Sequence, residues 1–170
     1  TIAIEAALKA KNIAPNLNRR FSCESWSQVY AAAFASERRA ARADEVRGPI
    51  APIFAYDIDP RVLDMARYHA KRAGVENAIE FAMKDAAKFS PATENGTIIS
   101  NPPYAVRMGE RDEVHALYAS LGKALLPLSD FKYYFICSDE DFEKYFGKKC
   151  DKKRKLYNGN MKCNFYQYFR

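Results

Sequence analysis

The run Ile98-Ile99-Ser100-Asn101-Pro102-Pro103-Tyr104 decides how this chain is read. An apolar, strand-like segment stops at an Asn-Pro-Pro-Tyr corner. Proline has no N–H to give to a ladder and disfavours helical backbone in the residue before it, so the chain must leave a sheet here stiff and extended. That geometry gathers the Asn101 amide, the carbonyls of Pro102 and Pro103 and the flat ring of Tyr104 at one strand's carboxyl end. Those are the parts needed to grip an exocyclic amino group on a flat base. A plain strand followed by a Pro-Pro turn uses the same residues, so the surrounding chain has to decide.

Working outward, Ile50 to Tyr56 reads as a short apolar strand followed by Asp57-Ile58-Asp59-Pro60. A helix follows from Pro60 to about Ala73, with proline in its first turn and Gly74 just past its end. Ala78 to Ala82 is the next strand, then Lys84-Asp85-Ala86, and Thr97 to Ser100 leads into the corner. Beyond it come a helix from Arg111 to Leu126, a strand from Lys132 to Ser138 and a short helix from Asp139 to Phe146. A basic loop containing Asn158-Gly159 precedes a last strand, Met161 to Phe169, whose aromatic run reads as a buried strand.

Ahead of Ile50, Thr1 to Lys11 is a helix rich in Ala and Leu, and residues 12 to 24 are a loop. A second helix spans Ser25 to Val46, N-capped by Ser25 and closed by Gly48-Pro49, with its charged clusters on a solvated face. Alternating strands and helices predict an α/β fold: a mostly parallel sheet with helices on both faces and an antiparallel C-terminal edge strand.

The 170 residues, 48% hydrophobic and 28% charged, suit a single domain over 1–170 with a sizeable core. No apolar run is long enough to span a membrane. The net charge of +6 leans toward a polyanionic partner. Cys23, Cys137, Cys150 and Cys163 form no Cys-x-x-Cys pair, and His69 and His115 are the only histidines. No metal site is expected, and a Ser-His or Cys-His hydrolase is poorly supported.

In an open α/β sheet, ligands bind outside the carboxyl ends of the strands. Three polar corners fall at such ends, and consecutive parallel strands would line them up along one edge. Asp57 can accept from both hydroxyls of a ribose, because a carboxylate offers two acceptor oxygens. Ile58 can lie flat on an adenine ring. Asp85 can accept from an adenine amino group while the Ala86 amide donates to a ring nitrogen. Either aspartate alone could simply start a helix; three such corners in order are harder to treat as coincidence.

The order Asp57-Ile58-Asp59-Pro60, Lys84-Asp85-Ala86 and Asn101-Pro102-Pro103-Tyr104 resembles the Rossmann-like, S-adenosylmethionine-dependent methyltransferases that modify exocyclic amines. More narrowly, Thr1-Ile2-Ala3-Ile4-Glu5-Ala6-Ala7, Leu17-Asn18-Arg19-Arg20-Phe21 and Lys152-Lys153-Arg154-Lys155-Leu156-Tyr157-Asn158-Gly159 look like one bacterial subgroup. These are the THUMP-domain-linked enzymes acting on guanine N2 of 23S ribosomal RNA, a group often labelled N6-adenine-specific DNA methylases. The likeness covers essentially the whole chain. It implies S-adenosyl-L-methionine as cofactor, ribosomal RNA as partner, an upstream THUMP-type RNA-binding domain in the intact protein and a cytoplasmic setting. Asn101, Pro102, Pro103 and Tyr104 would be catalytic; Asp57, Ile58, Asp85 and Ala86 would bind the cofactor; no metal takes part.

In that family a strand and a Gly-rich loop precede the Thr1 helix, and the loop holds the methionine part of the cofactor. Residues 1–170 contain neither. We therefore expect a C-terminal piece of a catalytic domain that carries the adenosine half of the site and lacks a central strand. By the same likeness, Asn101 Oδ1 and the Pro102 carbonyl would each accept one amine hydrogen while Tyr104 stacks on an unstacked base. Lys148, Lys149 and Lys152 to Lys155 are candidate RNA-phosphate contacts, as are Arg19, Arg20 and Arg107. Adenine-N6 methylation of DNA or RNA, and a catalytically silent nucleic-acid-binding domain, stay open. A dinucleotide oxidoreductase lacks its Gly-x-Gly-x-x-Gly corner.

Overall fold

A computed structural model describes residues 1–27, 30–104 and 111–169. The chain forms two compact units, Thr1–Met83 and Lys84–Arg170. In the first, α1 (Ile2–Ala10) and α2 (Ala31–Ala43) precede β1 (Ile53–Asp57), α3 (Pro60–Arg72) and β2 (Ile79–Met83). β1 and β2 run parallel, in register from Ile53↔Ile79 to Asp57↔Met83. Their core gathers Ala7, Leu63, Ala70, Val75, Ile79 and Phe81. α3 starts as its sequence dictates: Pro60 fixes the first turn, and Asp59 Oδ1 accepts the Arg61 N–H at 2.9 Å. Gly74, at φ +75°, takes the left-handed backbone that carries the chain out of the helix.

The second helix departs from expectation. Ser25 closes a short 3-10 turn, Ser22–Ser25, instead of capping an α-helix, and α2 begins at Ala31. The cause is Glu24, whose carboxylate accepts the Phe21 N–H at 2.7 Å and pairs with Arg38 at 2.5 Å. The Glu-Arg-Arg cluster is thus only partly a solvated face, because Arg38 ties α2 to the preceding turn. The bond to Arg38 first, and then the Phe21 N–H, pull the Glu24 carboxyl down to about 2.

The second unit holds β3 (Gly96–Ser100), α4 (Arg111–Leu125), β4 (Phe131–Cys137), α5 (Phe142–Phe146), β5 (Lys152–Asn158) and β6 (Met161–Tyr168). Its strand order is β3-β4-β6-β5; β3 and β4 are parallel, and β6 is antiparallel to both neighbours. Only β6 therefore runs against the rest. Tyr118, Phe135, Phe142, Phe146, Tyr166 and Tyr168 fill the core. The aromatic end of the chain is thus buried on the Tyr166–Tyr168 face, with Phe165 half-buried and Phe169 exposed. α4 and α5 meet so closely that a Cβ on Gly122 would sit 1.9 Å from the Phe146 carbonyl oxygen.

The parallel β1–β2 pair and the mostly parallel four-stranded sheet, each interleaved with helices, keep the expected α/β pattern within their own units. One expectation needs correction. The supposed basic loop is β5, paired with β6 from Lys152↔Gln167 to Asn158↔Met161, so β5, not β6, is the edge strand. Charged residues are well tolerated there, where one side of the strand faces water.

Candidate active site

Asp57 closes β1, and its Oδ1 accepts the Asp59 N–H at 2.9 Å. Helix capping is therefore Asp59's job, which leaves Asp57 Oδ2 without a partner among the described residues. Ile58, between them, is 66% exposed, far more than an isoleucine held only by packing. These residues form the corner of the first unit.

The other two corners lie in the second unit. Asp85 caps the 3-10 turn Ala86–Lys88, its Oδ1 accepting the Ala87 N–H at 2.9 Å. Ala86 is exposed, and its own N–H has no acceptor among the described residues. The Asn101 corner leaves β3 where Ser100 pairs with Phe135 of β4. Asn101 and Pro103 are exposed, Pro102 is buried and Tyr104 is partly buried.

Hydrogen bonds hold this corner from behind. The Tyr104 hydroxyl donates to Asn101 Oδ1 at 2.6 Å, which fixes the amide and leaves the oxygen its second lone pair. The Tyr118 hydroxyl donates to the Pro103 carbonyl at 2.8 Å and lies 3.2 Å from Cys137 Sγ. Burial, seconded by Cys137, pushes the Tyr118 phenol well above its ordinary range, so it remains a donor at any working pH. On the far side, Cys163 Sγ of β6 approaches the Tyr104 hydroxyl at 3.9 Å.

Next to the corner, at the end of β4, a cavity of about 370 Å³ is lined by Arg111, Ser138, Asp139, Glu140 and Asp141. His115 is buried there, 2.8 Å from Asp139 Oδ2 and stacked on Tyr145 at 3.8 Å. His115, Asp139 and Asp141 are close enough to suggest a cation. The direct His115–Asp139 hydrogen bond and the Asp141 N–H on Asp139 Oδ1 already account for the cluster. His69 is exposed on α3.

Tyr118, Cys137 and Cys163 carried no signal in the sequence, being ordinary core residues at unremarkable spacings; only the fold brings them to the corner. Of the basic candidates, Lys152 to Lys155 are exposed on β5, and Arg19 packs over Phe21 at 5.0 Å. Arg107 lies outside the described residues.

The chain is similar to known proteins over nearly its whole length. "Putative RNA methyltransferase YpsC" of Bacillus subtilis is 39% identical over 99% of this chain and 44% of its own length. "Ribosomal RNA large subunit methyltransferase K/L" of Shewanella baltica is 36% identical over 97% of this chain and 24% of its own. A solved structure, "SMU.472, a putative methyltransferase complexed with SAH", superposes with a TM-score of 0.92 at 36% identity, covering 98% of this chain and 44% of that one. The chain thus spans less than half the length of each of these relatives. With residues 1–167 matching its pattern, the chain belongs to the family described as "UPF0020: RMKL-like, methyltransferase domain".

Proposed function

We propose that the protein bearing this chain methylates an exocyclic base amine in RNA, and more narrowly guanine N2 of large-subunit ribosomal RNA, in the cytoplasm. What supports it most is the Asn101-Pro102-Pro103-Tyr104 corner, which leaves a strand's carboxyl end with Asn101 exposed and the backbone behind it fixed by Tyr118. An upstream THUMP-type domain would hold the RNA.

S-adenosylmethionine suits the donor and acceptor set. In the first unit Asp57 retains an acceptor of the kind ribose hydroxyls need, and Ile58 offers an exposed apolar surface. In the second unit the Asp85 carboxylate and the Ala86 N–H have the polarity that an adenine amino group and its neighbouring nitrogen call for. When bound, this cofactor supplies an electrophilic methyl group.

The target amine's lone pair is delocalised into its ring, so the amine is a poor nucleophile. Asn101 Oδ1, through its second lone pair, and the Pro102 carbonyl, which has no partner among the described residues, would each accept one of its hydrogens. Acceptors placed off the base plane favour a pyramidal nitrogen with its lone pair exposed. Positioning and preorganised acceptors supply the rate, and no strong base is needed before transfer because the amine becomes acidic once alkylated. The exposed part of Tyr104 would meet the base face, while its hydroxyl keeps Asn101 aimed.

Incubating the intact protein with labelled S-adenosylmethionine and unmodified 23S ribosomal RNA, then analysing nucleosides, tests this. Label in N2-methylguanosine is the expected result. Label in N6-methyladenosine, or label only on a DNA substrate, would overturn it.

A further inference from the structure

The β5–β6 hairpin is longer than its sheet requires. Cys137, the last residue of β4, pairs with Asn164, so Met161 to Cys163 and their partners on β5 run on past the carboxyl end of β4. Three residues at strand rise amount to roughly 10 Å of overhang. The turn at its tip is Gly159-Asn160, with Gly159 at φ +59°, the conformation that two-residue hairpins ask of glycine. The overhang stands on the same edge as the Asn101 corner, because Cys163 on it reaches the Tyr104 hydroxyl.

The surface of this extension is unusual. Tyr157 is 64% exposed, and Leu156 and Met161 are also exposed, where a hairpin tip in water would carry small polar residues. Lys155 lies over the Tyr157 ring at 5.2 Å. Tyr157 pairs across the ladder with Lys162, so the two share a face, and Lys162 bonds Glu140 on the rim of the cavity at the end of β4. Lys152, Arg154 and Lys155 have no ion pair among the described residues, whereas Lys153 is taken up by Glu143. Lysines alone would be explained as protection of an exposed edge. That does not explain an outward tyrosine beneath a lysine.

From this we infer that the overhanging β5–β6 hairpin is a docking surface for single-stranded RNA flanking the target base, with Tyr157 stacking on a neighbouring base and Lys155 beside its phosphate. Aromatic rings interleaved with cations are what unpaired strands recognise, since every base has a face to stack and every linkage a charge. The inference rests on the RNA substrate proposed above, but its test needs no turnover.

The test is fluorescence anisotropy of a labelled single-stranded RNA oligonucleotide with the intact protein across a salt series. Tyr157→Ala should weaken binding about tenfold, and Tyr157→Phe, which keeps the ring, should stay within about twofold of wild type. Lys155→Ala should make the salt dependence shallower by about 0.7, the share of one single-strand phosphate contact. Wild-type affinity and slope in Tyr157→Ala and Lys155→Ala would overturn the inference. So would a wild-type protein that prefers duplex DNA of equal length. A protein that shows this hairpin-dependent binding but methylates no RNA would defeat the proposed activity and leave the docking surface standing.

Discussion

Tyr118→Phe separates the corner's architecture from its chemistry. The change removes one oxygen and keeps the fully buried ring that α4 contributes to the core. It deletes the 2.8 Å bond to the Pro103 carbonyl and the 3.2 Å contact with Cys137 Sγ. A neutral hydrogen bond is worth about 1 kcal/mol net, and the thiol contact adds less, so stability should fall by about 1–2 kcal/mol. The Pro103 carbonyl belongs to the peptide that carries Tyr104, and Tyr104 in turn aims Asn101. Displacing reacting groups by about 1 Å costs on the order of a hundredfold in rate. With the prolines still limiting the backbone, kcat should fall about tenfold while the KM for cofactor holds. Steady-state methyl transfer together with denaturant unfolding measures both quantities. A stability loss of about 1 kcal/mol with kcat within about twofold of wild type would refute the reasoning, showing that Pro102 and Pro103 alone hold the corner.

Two further perturbations test the scaffold. Gly122→Ala drives a methyl group to 1.9 Å from the Phe146 carbonyl oxygen, so α5 must retreat from α4. We expect a loss of about 3 kcal/mol in a denaturant melt, and a near-native midpoint would contradict that packing. Glu24 titrates at about 2 in the folded chain against 4.5 ordinarily, held down first by its bond to Arg38. A depressed folded value means that the carboxylate stabilises fully above about pH 4.5 and progressively less as pH falls toward 2. The stability difference between wild type and Glu24→Gln should shrink over that window; a constant difference would contradict the pairing.

Much of this was legible in the residues. Pro60 and Gly74 bracket α3, and the apolar run before Asn101 ends where proline forbids the ladder from continuing. Each is a local signal that no tertiary contact overrides. β5 was not legible, because Lys-Lys-Arg-Lys carries little strand propensity of its own and is held extended by pairing with β6. Ser25 misled for a related reason: an N-cap residue is also at home at the end of a 3-10 turn, and the Glu24–Arg38 pair chooses between the two. The Asn101-Pro102-Pro103-Tyr104 corner could be picked out in the sequence as a candidate, but the contacts that hold it could not. Tyr118 lies 15 residues from the carbonyl it holds, and Cys163 lies 59 residues from Tyr104.

The central claim is that Asn101 grips the target amine, and Asn101→Ala in the intact protein tests it most directly. Removing a preorganised polar group of this kind costs about 10²–10³ in rate. Methyl transfer to unmodified 23S ribosomal RNA should therefore fall at least about a hundredfold, while calorimetric titration gives a wild-type affinity for S-adenosylhomocysteine. Transfer by Asn101→Ala at the wild-type rate would contradict the account.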